Sequence, residues 1–341
     1  MFPKVTTGLH VGGYLRGPAM FIRNLRWLWA VAPSVCEGSG FVIAARRVRF
    51  IVRALSNYGL LKPIIDARPG GALGKAIKAR PEIIGAVLWP YQCSAWDVRT
   101  RLSRIRGHYD AVEAAGQLLN FPVNATLTLL DLAEITQGLR VAIDQPRWLM
   151  REGQLVINLF MAETRIYSLA FSLFQEADGQ FVAVVGAIQG SGCKLNDARD
   201  EYRKLTKAAH GMRPRDLLFE VFRMFCARMG VADIVGVANE FRHHRHWYFA
   251  YGPKTFPTDY NEIWADRGGI RINEMFYRFD PYRKQRPLEE IRPNKRAMYR
   301  RRYQMLNSLS EQLNKNMLLL SESKKDEALG EFVEMQKCSG L

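Results

Sequence analysis

The feature that most constrains this chain is a change of hydrophobic period at Phe121-Pro122. Before that point apolar residues recur at helical spacing; after it, short β-prone runs follow one another at residues 125–130, 154–160, 166–175 and 180–189. Runs this short, rich in Val, Ile, Leu and Phe and bounded by turn residues, read as strands. Asp178-Gly179 between the last two is a hairpin signal, because that pair tolerates the positive φ of a tight turn. The runs therefore predict the spine of an antiparallel sheet. A helix then opens at Pro214, where a missing N–H costs nothing. Leu217, Leu218, Val221, Phe222, Phe225 and Met229 form its apolar face, and Gly230 ends it. Residues 232–238 read as a buried strand that stops at Asn239, and a last helix is expected from Asn294, with Leu306, Leu309, Leu313, Met317 and Leu320 as its stripe. Past Ser321 a frayed tail is expected. The fold class is α+β. A basic helical region (1–120) leads into a mixed, mostly antiparallel sheet flanked by helices (121–293), then a long C-terminal helix and tail (294–341).

In the first third, Phe21, Leu25, Leu28, Trp29 and Ala32 share one helical face, and Phe41, Ala45, Val48, Val52 and Leu55 share another. Such stripes either face the protein's own core or, when flanked by arginines, lie on an anionic membrane. Charge sharpens the choice. The net charge is +16, and residues 1–110 hold 17 Lys and Arg against 5 Asp and Glu. A second basic cluster runs through residues 283–302. Such a field favours an anionic ligand or cofactor, peripheral membrane contact or, more weakly, nucleic acid. Arg23, Asn24 and Arg26 interrupt the early apolar stretch, so neither a signal peptide nor a membrane span is expected. The expectation is a cytoplasmic protein, peripheral to the inner membrane if membrane contact is made. Five scattered cysteines without CxxC spacing read as reduced thiols, and no metal is expected.

Four constellations could carry chemistry. His210 and Gly211 with Arg213 and Arg215 stand where the Pro214 helix begins, a place whose free N–H groups and dipole favour an anion. The bland alternative is a capped turn with solvated arginines. Asn239 precedes His243, His244 and His246, which could supply a general base or, more weakly because flanking arginines repel a cation, a metal ligand; a surface basic patch is the alternative. Tyr248, Tyr260 and Trp264, with Phe249 and Tyr251, could grip a substrate or serve as core anchors. Lys295, Arg296 and Arg300 to Arg302 could meet lipid headgroups or RNA phosphates, the alternative being a merely solvated face.

Two resemblances follow from these residues. The order of hairpin, linker, helix and strand ending in Asn resembles the middle of an N-acetyltransferase-like (GNAT) fold, whose helix N-terminus holds the pyrophosphate of an acyl-CoA. Here that turn reads His210-Gly211-Met212-Arg213-Pro214-Arg215, so arginine side chains replace the family's backbone-exposing glycines. The strings 205–214, 259–264 and 294–303, with the pair Gly268-Gly269, look like the VirK family. That likeness implies a role in bacterial envelope maintenance, virulence and tolerance of cationic peptides, with no known reaction.

Together these readings lead to an acyl- or aminoacyl-transferase acting on an envelope or small-molecule amine or hydroxyl acceptor. An acyl-CoA or aminoacyl-tRNA would be the donor. His210, His243 and His244 are the catalytic candidates, Gly211, Arg213, Arg215 and Asn239 the donor-binding ones, and Tyr248, Tyr260 and Trp264 the substrate contacts. The alternative is a non-enzymatic protein that binds anionic lipid or RNA.

Overall fold

The computed structural model describes residues 16–190, 195–249, 258–282 and 285–338; Cys193 and Tyr251 lie outside them. Five helices come first: α1 (Arg16–Val35), α2 (Phe41–Ser56), α3 (Tyr58–Ile65), α4 (Ala72–Ala79) and α5 (Val98–Ala114). Asp97 caps α5 by accepting from the Thr100 amide at 2.8 Å. A 3-10 segment, Pro81–Val87, occupies the stretch that prolines keep from forming an α-helix.

The sheet begins with β1 (Leu127–Asp131), β2 (Leu139–Asp144), β3 (Leu155–Met161), β4 (Thr164–Gln175) and β5 (Phe181–Gly190), an antiparallel meander. Then α6 (Leu195–Ala208) and α7 (Pro214–Arg228) cross over to β6 (Val231–Val237), which pairs parallel with β5. Parallel pairing requires such a crossover. After α8 (Tyr260–Asp266), β7 (Ile270–Arg271) and β8 (Phe276–Phe279) complete eight strands in the order β1-β2-β3-β4-β5-β6-β8-β7. The sheet is mixed and mostly antiparallel, as expected; β2, β7 and β8 were not anticipated.

Helices cover both faces. Phe171 of β4 packs edge-on against Phe222 and Phe225 of α7, while Phe174, three residues on and so on the other face, meets Arg104 of α5. One apolar core runs from Leu28 of α1 to Met317 of α9 (Pro293–Cys338). The last helix buries Leu309, Leu313 and Met317, and Asn316 donates to the Leu129 carbonyl of β1 at 3.0 Å. It continues past Ser321 to Cys338, where a frayed tail was expected.

Two local features matter for function. Register between β4 and β5 passes from Ala170↔Ala187 to Phe171↔Val185, which leaves Gly186 as a bulge. Pairing of β5 with β6 ends at Val185↔Gly236, so residues 186–190 continue without β6 beside them. Tyr260 fills that role: its hydroxyl accepts from the Ile188 amide at 3.0 Å and donates to the Ile188 carbonyl at 2.8 Å. The second feature is α2. It buries Phe50, Ile51 and Ala54, while Phe41, Val48, Val52 and Leu55 are 89%, 53%, 60% and 37% exposed. The stripe that could have faced the core faces outward. Among the described residues no helix is long and apolar enough to cross a membrane.

Candidate active site

A cleft of about 970 Å³ lies between the C-terminal end of α1, the inner side of α2, the turn before β3 and the 3-10 segments after β6. Glu152 stands in its wall. It follows the 3-10 turn Arg147–Leu149, its amide donating to the Leu149 carbonyl at 2.8 Å. The turn is held from behind. The Gln92 amide donates to the Arg151 carbonyl at 2.7 Å, and the Gly186 bulge lies so near that a β-carbon there would stand 2.0 Å from the Glu152 carbonyl oxygen.

The Glu152 side chain is 8% exposed, with Oε1 3.6 Å from Arg242 Nη2 and 3.2 Å from His243 Nδ1. Oε2 has no hydrogen-bond partner among the described residues. Burial pushes its pKa up to about 7, against the opposing pull of Arg242's charge. His243 is held well below the ordinary histidine range by burial, with His244, Arg242 and Arg151 adding to the effect. Its imidazole is therefore neutral, and its contact with Glu152 is not an ion pair; the atoms lack the alignment of a hydrogen bond. Burial, with Arg242 and Arg245, likewise lowers His244 to about 3.

The rest of the wall is cationic and aromatic. Arg151 lies 4.4 Å from the Trp89 ring centroid and 5.5 Å from that of Phe249, and has no ion pair among the described residues. By contrast Arg147 is committed, with 2.6 Å contacts to both Glu37 and Glu82. Cys36 also lines the cleft, but burial raises its thiol pKa despite Arg46, Arg47 and Arg151, so it is not a thiolate. What this arrangement can do is bind an anion beside a carboxyl group able to take or give a proton near neutral pH.

The structure divides the candidate residues. His243, His244 and Tyr248 line the cleft with Glu152. Tyr260 lies just behind it, with the Arg242 guanidinium 3.6 Å over its ring. Trp264 is fully buried, its indole N–H donating to the Val237 carbonyl at 2.8 Å, and belongs to the core. Asn239 donates its amide to Asn261 Oδ1 at 3.0 Å and does not line the cleft. The α6–α7 turn is a separate place. His210 and Gly211 build it at φ 50° and 79°, and Arg302 grips the His210 carbonyl at 2.8 and 3.1 Å. Arg213 and Arg215 do not line the cleft, and Asp216, ion-paired to Arg267, sits in the first turn of α7 and meets its positive end. Among the described residues, the cleft that holds His243 and His244 is not lined by the α7 tip.

Glu152, Arg151 and Gln92 were not among the expected residues. The only signal was the turn-like Arg151-Glu152-Gly153 before an apolar run, and nothing in it announces a buried acid. Among the described residues no group of three or more His, Cys, Asp or Glu could hold a metal ion.

A family model described as "Protein of unknown function (DUF535)" matches residues 41–315. The uncharacterized protein YbjX of Escherichia coli K12 is 27% identical over 229 residues, 66% of this chain and 68% of its own length. Two uncharacterized proteins of Haemophilus influenzae are 24% and 26% identical, covering 55% and 52% of this chain. The matches span 61% and 58% of those two relatives, under two thirds of their length. With the family match extending from α2 into α9, the chain belongs to the DUF535 family, the VirK/YbjX group that its sequence strings resemble.

Proposed function

We propose that the Glu152 cleft is an acyl- or aminoacyl-transfer site in a GNAT-like core, acting on an envelope or small-molecule amine or hydroxyl acceptor. The observation that carries this reading is Glu152 itself: buried beside a large cleft, one oxygen unpartnered, its pKa near 7. A general base works best when its pKa lies near the working pH. The acceptor's lone pair attacks the donor's carbonyl carbon, and the new bond to nitrogen or oxygen forms as the thioester or ester bond breaks. Glu152 takes the acceptor's proton and then gives it to the leaving thiolate or alkoxide. Arg46 and Arg151 would hold the donor's phosphate groups. The GNAT-like core is supported by the parallel pairing of β5 with β6 across α6 and α7 and by their parting after Val185↔Gly236. The donor's place in this reading is the cleft, not the tip of α7.

Calorimetric titration with acetyl-CoA, a long-chain acyl-CoA and aminoacyl-tRNA tests it. One donor is expected to bind, at least tenfold more weakly to Arg151→Gln. Absence of heat with all three donors, from a correctly folded sample, would reject the transferase reading.

A further inference from the structure

We infer that the outward face of α2 docks on an anionic phospholipid bilayer, independently of the chemistry in the cleft. Phe41, Val48, Val52 and Leu55 recur at i, i+7, i+11 and i+14, which places them in one line along the helix. All four are exposed, although the same helix has a second apolar face, Phe50, Ile51 and Ala54, that is fully used in the core. Arg49, Arg53 and Arg46 fall along one edge of the exposed line, and α2 carries no acidic residue. Half-exposed Trp247 adjoins it, its ring centroid 5.9 Å from the Arg49 guanidinium. An apolar stripe edged by arginines, with a tryptophan beside it, is the chemistry of a helix lying in the headgroup region, acyl chains below and phosphates alongside.

Charge selects the occupant. Residues 22–66 hold seven Lys and Arg and two acids, Glu37 committed to Arg147 and Asp66 to Arg23 and Lys62, which leaves the four arginines of α2 without an acid on their own helix. Two copies of this face would repel each other, whereas a lipid surface rich in phosphatidylglycerol complements both the stripe and its edge. Ile43 and Arg46 of the same helix line the Glu152 cleft, so docking would set the mouth of that cleft beside the bilayer.

Co-sedimentation of the full chain with vesicles tests this. Phosphatidylcholine vesicles containing phosphatidylglycerol should carry the protein down at low salt, and much less at high salt. Phe41→Ser/Val48→Ser/Val52→Ser should bind at least about tenfold more weakly, as should Arg49→Gln/Arg53→Gln, since each surface arginine contributes about 1 kcal/mol. Ile270→Ser, equally exposed but on β7, should bind like the wild type, with circular dichroism confirming that every variant is folded. The inference is overturned if the wild type ignores anionic vesicles at low salt, or if the triple-serine variant binds them undiminished. It is also overturned if sedimentation equilibrium shows a dimer that the triple-serine variant converts to monomer, because the stripe would then belong to a second copy.

Discussion

The side-chain amide of Gln92 donates to the Glu152 carbonyl at 3.2 Å and to the Val184 carbonyl at 2.9 Å, tying the turn that carries the carboxylate to β5. Gln92 is fully buried and sits at φ 48°, a conformation its surroundings must impose. Replacing it with Ala leaves two buried carbonyls without that donor. Gln92→Ala should therefore lose about 1–3 kcal/mol of stability in urea denaturation.

Glu152 gives stability a characteristic pH dependence. Its folded pKa is raised above the unfolded value, so its contribution is fully present below about 4.5 and is lost as pH rises through about 7. Glu152→Gln cannot ionise and escapes that loss. The stability of Glu152→Gln relative to wild type should rise between pH 4.5 and 8, by on the order of 2–3 kcal/mol. Denaturation midpoints at the two pH values check this; parallel curves would mean that Glu152 does not titrate there.

His108 acts in the opposite sense. It is buried between α5 and β4, its Nδ1 accepting from the Leu173 amide at 3.1 Å, and burial lowers its pKa to about 3. The stability it contributes is present above about 6.5 and falls as pH drops toward 3. Between pH 6.5 and 5 the wild type should lose about 2 kcal/mol that His108→Gln, destabilised at neutral pH, does not lose. Acid titration followed by near-ultraviolet circular dichroism would show the difference.

Gly186→Ala should be far more damaging than its size suggests. The added carbon would lie 2.0 Å from the Glu152 carbonyl oxygen, and neither backbone can yield without opening the bulge. A loss of about 3 kcal/mol or failure to fold is expected, while Gly70→Ala, with nothing within 4 Å of the new carbon, should be near neutral. Thermal melts of the two variants decide it.

These sites also show what was legible from residue order alone. The apolar face of α7 is buried as its spacing predicts, and Asp178-Gly179 turns β4 into β5, because in both cases the determining contacts are local. Strand β2 was missed, since six residues between Gly138 and Gln145 carry too little period to stand out. On α2 periodicity revealed an apolar stripe, but the helix has two, and which is covered depends on α1 and on the 3-10 turn Pro81–Val87 packed against it. His243, His244 and Tyr248 stand out by composition. Glu152, which lines the same cleft, lies about ninety residues earlier and becomes special only through burial, which no local pattern encodes.

The bond from Asn316 to the Leu129 carbonyl spans 187 residues. At roughly 5–20 residues per second of synthesis, β1 waits about 10–40 s after emerging from the ribosome before the segment that covers it exists. During that interval the outermost strand is a naked template for other chains. Newborn copies of this protein are thus most prone to clump before α9 has been made, whatever the stability of the finished fold.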